Sequence, residues 1–205
     1  MVKVDSSLEK YPKKMSCGGG PTLTVRPMAE DDFDRVRAFF VGLPSEDRLF
    51  LRDDVTRPVV LARWFANLDY ATKLPIMALD GDTVVGHALL DADQRGWSPH
   101  VAEVRVVVAD GYKKRSVGSL LARELFEIAI SRGYEKIVAR MMESQVAAQK
   151  MFERMGFVVE ARLSAHVKDL QGERHDLLIM TCKVDDAWAR MEDLLQDVAP
   201  WAQHH

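Results

Sequence analysis

The chain is short of cysteine, of long apolar runs and of charge of one sign. Its two cysteines, Cys17 and Cys182, make neither a disulfide framework nor a metal cluster, a usage that fits a reducing cytoplasm. No stretch approaches the roughly 18 apolar residues of a membrane span, and residues 1–10 lack the apolar segment of an export signal. A net charge of −3 supplies no basic excess to attract nucleic acid. There is no internal repeat or low-complexity segment. What is present is 205 residues, 47% of them hydrophobic, enough for one domain with a sizeable core.

Hydrophobic period divides the chain. Residues 1–21 are polar and end in Gly18-Gly19-Gly20-Pro21, which predicts a mobile lead-in. Phe33, Val36, Phe39 and Phe40 recur at helical spacing, and so do Leu61, Trp64, Phe65 and Leu68, predicting helices that end near Gly42 and over 59–68. Strands are expected over 22–26, 74–79, 83–91, 101–108, 136–140, 157–163 and 175–181, with a hairpin turn at Asp80-Gly81-Asp82. Further helices are expected over 117–132 and 145–155, closed by Gly133 and Gly156. A last one over 185–198 uses Trp188, Met191, Leu194 and Leu195. This order predicts a mixed α/β (α+β) domain, a central mixed sheet covered by helices, over 22–182. A tail at 1–21 and a C-terminal helix and tail at 183–205 flank it.

Residues 104–118 are the most informative. A valine strand runs into the turn Asp110-Gly111-Tyr112-Lys113-Lys114-Arg115-Ser116-Val117-Gly118, and a helix opens at Ser119. Turn and helix start together aim backbone N–H groups at one point, which makes an anion site suited to a pyrophosphate. Between Arg105 and Arg123 the cations Arg105, Lys113, Lys114, Arg115 and Arg123 face only Asp110. Lys113, Lys114 and Arg115 would add charge-assisted hydrogen bonds, and Ser116 suits a helix N-cap.

The turn resembles the acetyl-CoA loop of the GCN5-related N-acetyltransferases, patterned Gln/Arg-x-x-Gly-x-Gly/Ala between a strand and a helix. Gly118 matches, while Lys113 and Ser116 depart from the pattern. The family's closing helix, Asn-x-x-Ala-x-x-Leu-Tyr-x-x-x-Gly-Phe, is similar to residues 145–157, where Ala148, Met151, Gly156 and Phe157 fit. Its opening strand, often ending Ile-Arg-Pro, resembles Val25-Arg26-Pro27. The resemblance implies a mostly antiparallel sheet of about seven strands, splayed between the fourth and fifth. Acetyl-CoA would lie in the splay, its pantetheine arm along Val106, Val107 and Val108 and its diphosphate on Lys113, Lys114, Arg115, Ser116, Val117, Gly118 and Ser119. Gln145 stands where the family has an asparagine able to reach the cofactor. Phe152 stands where many members carry a tyrosine that protonates the leaving thiolate.

Acyl transfer needs a neutral amine, and a free alkylamine with a pKa near 10.4 is protonated at neutral pH, so a base is required. Glu103, at the entry to the cofactor strand, and Glu143, at the end of the next strand, are the candidates. His87, His100, His166 and His175 read as surface or satisfied histidines. The leading expectation is transfer of acetyl from acetyl-CoA to the primary amine of a small molecule, by direct attack in a ternary complex. Residues 39–52 resemble modules that acetylate lysines of metabolic enzymes, so protein lysine acetylation is the runner-up, for which an acidic or open groove near Glu46, Asp47, Asp53 and Asp54 would argue. A noncatalytic acyl-CoA binder is the third reading. The final helix and Trp201 offer a surface for a homodimer.

Overall fold

The computed structural model describes residues 6–16, 21–48, 51, 53–92 and 96–184. Eight strands build one sheet: β1 (Lys13–Ser16), β2 (Thr22–Pro27), β3 (Lys73–Asp80), β4 (Thr83–Asp91), β5 (Val101–Val108), β6 (Lys136–Met142), β7 (Val158–Lys168) and β8 (Arg174–Lys183). Across the sheet they lie in the order β1-β2-β3-β4-β5-β6-β8-β7. Every neighbouring pair is antiparallel except β5 and β6, which are parallel. Five helices are present among the described residues: α1 (Phe33–Gly42), α2 (Ser45–Arg48), α3 (Pro58–Ala66), α4 (Val117–Ser131) and α5 (Val146–Arg154).

The seven expected strands are all there, and β1 is an eighth. Residues 13–16, read from the sequence as part of a mobile lead-in, pair with β2 from Lys13↔Val25 to Ser16↔Thr22. The polar letters concealed this strand because it lies on a sheet edge, where alternate side chains face solvent. The four-residue α2 carries no buried side chain and so left no periodic signal. The helix expected over 185–198, with Trp188, Met191, Leu194 and Leu195, lies outside the described residues, as do Trp201 and the homodimer surface assigned to them.

The sheet divides two apolar layers. On one face Leu121, Leu125, Phe126 and Ile128 of α4 and Phe152 of α5 pack on Ala102, Val104, Ile137 and Ala139. On the other, Val36 and Phe40 of α1 and Leu61 of α3 pack on Met77, Leu79 and Val84. Leu121, Leu125 and Ile128 are wholly buried, each worth about 1.5–3 kcal/mol of transfer free energy. Helix α4 comes so close to β4 that a Cβ on Gly86 would stand 2.7 Å from Leu121 Cδ1, a space only glycine leaves open. Both α4 and α5 end on left-handed glycines that close Schellman motifs. Gly133 (φ 77°) donates to the Ile130 carbonyl and Tyr134 to that of Ala129, while Gly156 (φ 90°) donates to Glu153 and Phe157 to Phe152.

Strands β5 and β6 pair only from Val101↔Lys136 to Val104↔Ala139. Beyond that, β5 stays on β4 as far as Val108↔Gly86, and β6 stays on β8 as far as Met142↔Leu177. The two strands therefore part after Val104 and Ala139, as the expected splay requires.

The N-terminal segment ties down the outer face of α4. Glu124 is a buried carboxylate that accepts hydrogen bonds from Tyr11 Oη at 2.7 Å and from Lys13 Nζ at 2.8 Å, with Lys10 Nζ 3.9 Å away. Burial, with the Glu124 carboxylate beside it, pushes the Tyr11 phenol upward. Stranding a buried charge costs more than removing it. Lys13→Met is therefore expected to lower unfolding free energy by about 2 kcal/mol, more than Glu124→Gln does, measured from urea midpoints.

Candidate active site

Past Val104 one edge of β5 has no strand partner, and Val106, Val107 and Val108 lie along it. Val106 and Val108 pack toward α4, and Val107 toward the α1 and α3 layer, so the side chains are used by the core while the main chain stays available. The turn that follows is organised by Tyr112 N–H donating to the Ala109 carbonyl and Lys113 N–H to Asp110. The next backbone amide to donate is that of Leu120, to the Ser116 carbonyl. Between them the amides of Lys114, Arg115, Ser116, Val117, Gly118 and Ser119 find no acceptor among the described residues, and they lie where the positive end of the α4 dipole adds to them. Unpaired donors beside an open strand edge fit the diphosphate and pantetheine of a coenzyme A thioester.

The backbone of this turn is strained. Lys114 (φ 60°) and Ser116 (φ 61°) both adopt the left-handed region, which costs a residue with a Cβ about 1–2 kcal/mol. Ser116 occupies the N-cap position of α4 but its side chain makes no capping bond, contrary to the sequence expectation. At Gly118 an added Cβ would lie 3.5 Å from Met151 Sδ and 3.6 Å from Val108 Cγ2, so this glycine marks the convergence of α4, α5 and β5.

The expected cluster of loop cations is dispersed onto separate partners, some local and some distant in sequence. Lys113 bonds Asp47 of α2 at 2.6 Å and Asp110 at 3.1 Å, and these carboxylates push its ammonium above the ordinary lysine value against burial. Arg115 lies over the Tyr112 ring, 5.5 Å from its centroid, and Arg123 faces Glu127. Arg105 points to the α3 face, where it meets Asp91 at 3.0 Å and Glu103 at 3.2 Å. Of the acidic stretch, Asp47 meets Lys113, Asp53 the Trp64 indole N–H at 2.9 Å and Asp54 Thr56, while Glu46, Asp53 and Asp54 stay exposed.

Glu103 lies on β5 two residues before the strands part, its carboxylate between Arg105 and Arg140 Nε, the latter at 3.5 Å. Glu143, just past β6, pairs with Arg162 of β7 in a separate cluster that includes Asp176. The structure does not bring the two glutamates together. Gln145 turns back to accept the Met142 N–H at 2.9 Å, so its carbonyl oxygen secures the end of β6. Phe152 is buried against Phe157, with ring centroids 4.9 Å apart. Tyr112 donates to Asp80 at 2.6 Å, a bond that raises its phenol and keeps the proton in place.

A cavity of about 410 Å³ opens on the α3 face of the sheet. His87, Leu89 and Asp91 of β4 and Arg105 of β5 line it from the sheet, and Arg63, Trp64, Asn67 and Leu68 from α3 and its C-terminal end. Arg105 is the first β5 residue past the last pair with β6, so cavity and splay meet there. His87 is 5% exposed, its Nε2 has no partner, and burial, with Arg105 nearby, depresses its pKa to about 4. It is thus neither a surface nor a satisfied histidine, as the sequence had suggested. The available signal was His87 and Asp91 recurring at even spacing on one face of an otherwise apolar strand. Among the described residues no group of histidines, cysteines or carboxylates is placed to hold a metal ion, and no helix is long and apolar enough to cross a membrane.

Residues 38–157 match the model of the acetyltransferase (GNAT) family. The chain belongs to this family. GNAT relatives include Acetyltransferase Pat of Mycolicibacterium smegmatis, 28% identical over 142 residues, covering 68% of this chain and 42% of that protein. The L-amino acid N-acetyltransferase AaaT of Escherichia coli is 33% identical over 89 residues, 43% of this chain and 54% of that protein. The chain thus spans about half the length of these curated relatives. Its fold is shared with the GNAT domain of S. lividans PAT (TM-score 0.67, 20% identity, 83% of this chain and 96% of that one). It is shared too with yncA of Salmonella typhimurium, a putative acetyltransferase solved with its cofactor acetyl-CoA (TM-score 0.66, 18% identity, 80% and 94%).

Two outcomes follow from the GNAT loop and the buried histidine. Ser116→Gly relieves the left-handed strain without removing a cap bond, so the urea midpoint should rise by the equivalent of up to about 1 kcal/mol. His87 binds its proton more weakly folded than unfolded, so its contribution is complete above about pH 6.5 and lost as pH falls toward 4. Thermal melts across that window should lose up to about 3 kcal/mol of stability on account of this group, and His87→Phe should flatten the slope by about one proton.

Proposed function

We propose that the chain is an N-acetyltransferase that moves the acetyl group of acetyl-CoA to the primary amine of a small molecule. The observation that carries this reading is the parting of β5 and β6 beside six acceptor-free amides, with a cavity opening on the break at Arg105. The amides of Lys114 to Ser119 take the diphosphate, with Lys113 and Arg115 at its side, and the open edge of 106–108 takes the pantetheine amides. Bound there, the thioester supplies an activated acyl carbon. The family membership, and the names of relatives that act on amines, support the same reading.

The acceptor amine arrives protonated and must lose a proton before it attacks. Glu103, on the α3 face at the entry to the break, accepts that proton through water; Glu143, paired with Arg162 beyond β6, is the lesser candidate. The amine nitrogen then bonds to the carbonyl carbon, the C–S bond breaks, the thiol sulfur keeps the electron pair, and the second proton shed by the nitrogen goes to that thiolate or to water. A thiolate is a far weaker base than an amide anion, the cysteine thiol titrating at about 8.5, so it leaves without a dedicated acid. This accommodates Phe152, which has no proton to give, and Tyr112, whose proton is held by Asp80. Protein lysine is the alternative acceptor: Asp47 is held by Lys113, but Glu46, Asp53 and Asp54 lie exposed and offer the acidic surface that reading calls for.

Calorimetry with acetyl-CoA is expected to show binding that Ser116→Arg weakens, and no binding by the parent protein would remove both enzyme readings. Glu103→Gln should lower kcat by about 100-fold or more while leaving the Kd for acetyl-CoA within a factor of three, with CoA release as the readout. Binding without release on any acceptor would identify a sensor instead.

A further inference from the structure

The cavity on the α3 face carries more than an amine needs. Its lining holds Arg63, Lys73 and Arg105 against Asp53 and Asp91, one positive charge in excess. Among the described residues Arg63 and Lys73 have no ion pair, whereas Asp91 meets Arg105, and Asp53 holds the Trp64 indole. A diamine or a lysine side chain would add a further positive charge to this wall. A zwitterion adds none, and its carboxylate finds an unpaired guanidinium, the side chain whose fork matches a carboxylate in two parallel hydrogen bonds.

We propose that the acceptor is an α-amino acid with a medium-sized apolar side chain, its carboxylate on Arg63, its amine at Asp91 and its side chain against Trp64, Leu68 and Leu89. Only one oxygen of Asp91, Oδ2, is taken by Arg105, so Oδ1 keeps its lone pairs for an ammonium. Asp91 pairs across the sheet with Glu103, which β6 still pairs, but its Oδ2 meets Arg105, the first residue past that pairing, so an amine held by Asp91 lies at the entry to the unpaired stretch of β5. His87 completes the floor as an uncharged ring at neutral pH, stacked 6.5 Å from Trp64, and so does not repel the incoming ammonium. Met28 and Pro75 extend the apolar wall. A volume of about 410 Å³ is within the range of small-molecule pockets. Arg63 sets specificity by binding; it has no part in the proton transfer. The inference rests on the acetyltransferase reading of the site.

The test uses the full chain, saturating acetyl-CoA and matched acceptors: leucine against isoamylamine, and phenylalanine against phenethylamine. CoA release should give kcat/KM about 10- to 100-fold higher for each amino acid than for its decarboxylated partner. Arg63→Glu should collapse or reverse that ratio through KM, leaving the Kd for acetyl-CoA and the melting temperature near their parent values. Quenching of indole fluorescence by leucine but not by isoamylamine, lost in Trp64→Phe, reads the same pocket without turnover. Acetyl-CoA binding together with equal use of the matched pairs, or a ratio that Arg63→Glu leaves unmoved, would overturn this inference and leave the acetyltransferase reading intact. Failure to bind acetyl-CoA would bring down both.

Discussion

One interruption in hydrogen bonding organises the molecule: two parallel strands that pair for four residues and then separate. A sheet tolerates such a break only because each strand keeps its outer neighbour, β5 on β4 and β6 on β8. A buried main-chain group left without a partner costs about 1–3 kcal/mol, so an open edge inside a domain has to be served by water or by a bound molecule. The same break sets everything near it. It leaves the first turn of α4 facing a cleft, and it brings Arg105 to the rim of a cavity on the opposite face.

Charge around the break is balanced by contacts that cross the sheet and the chain. Lys113 leans on Asp47, 66 residues earlier, and Arg105 bridges Asp91 and Glu103. Asp32, wholly buried, faces the paired nitrogens of Arg26 at 2.6 and 2.7 Å. Burial works against that carboxylate, yet the guanidinium and the Ala29 amide hold it below the usual range. The pair fastens the end of β2 to the start of α1 and gives the Val25-Arg26-Pro27 sequence its structural meaning. The exposed pairs, such as Lys113 with Asp110, contribute little to stability individually, whereas a buried carboxylate such as Asp32 depends on its partner. Their effect here is to fix which cations remain uncommitted.

Most of the fold was legible because it is periodic. The valine run of β5, the apolar stripe of α4 and the two glycine ends each carry a local signal that tertiary packing then uses rather than overrides. The turn between β5 and α4 was legible for a similar reason, since its residues are contiguous. Edge strand β1 was not, because four residues with two lysines look like tail when the neighbouring strand is invisible. The cavity was harder still. His87, Asp91, Arg105, Arg63 and Trp64 come from three separate elements, and only the β4–β5 register and the seat of α3 unite them. Ser116 shows the limit of motif reading in the other direction: the residue suggested an N-cap, whereas backbone geometry spends it on a left-handed turn without a capping bond.

The strap formed by Lys10, Tyr11 and Lys13 carries a consequence for how the chain is built. Its anchor, Glu124, lies more than a hundred positions downstream, at separations of 111 and 113 residues. Closing so long a loop is entropically slow, and the anchor face exists only once α4 has formed. In vectorial synthesis β1 is thus made early and secured late, and until then β2 waits with an open flank.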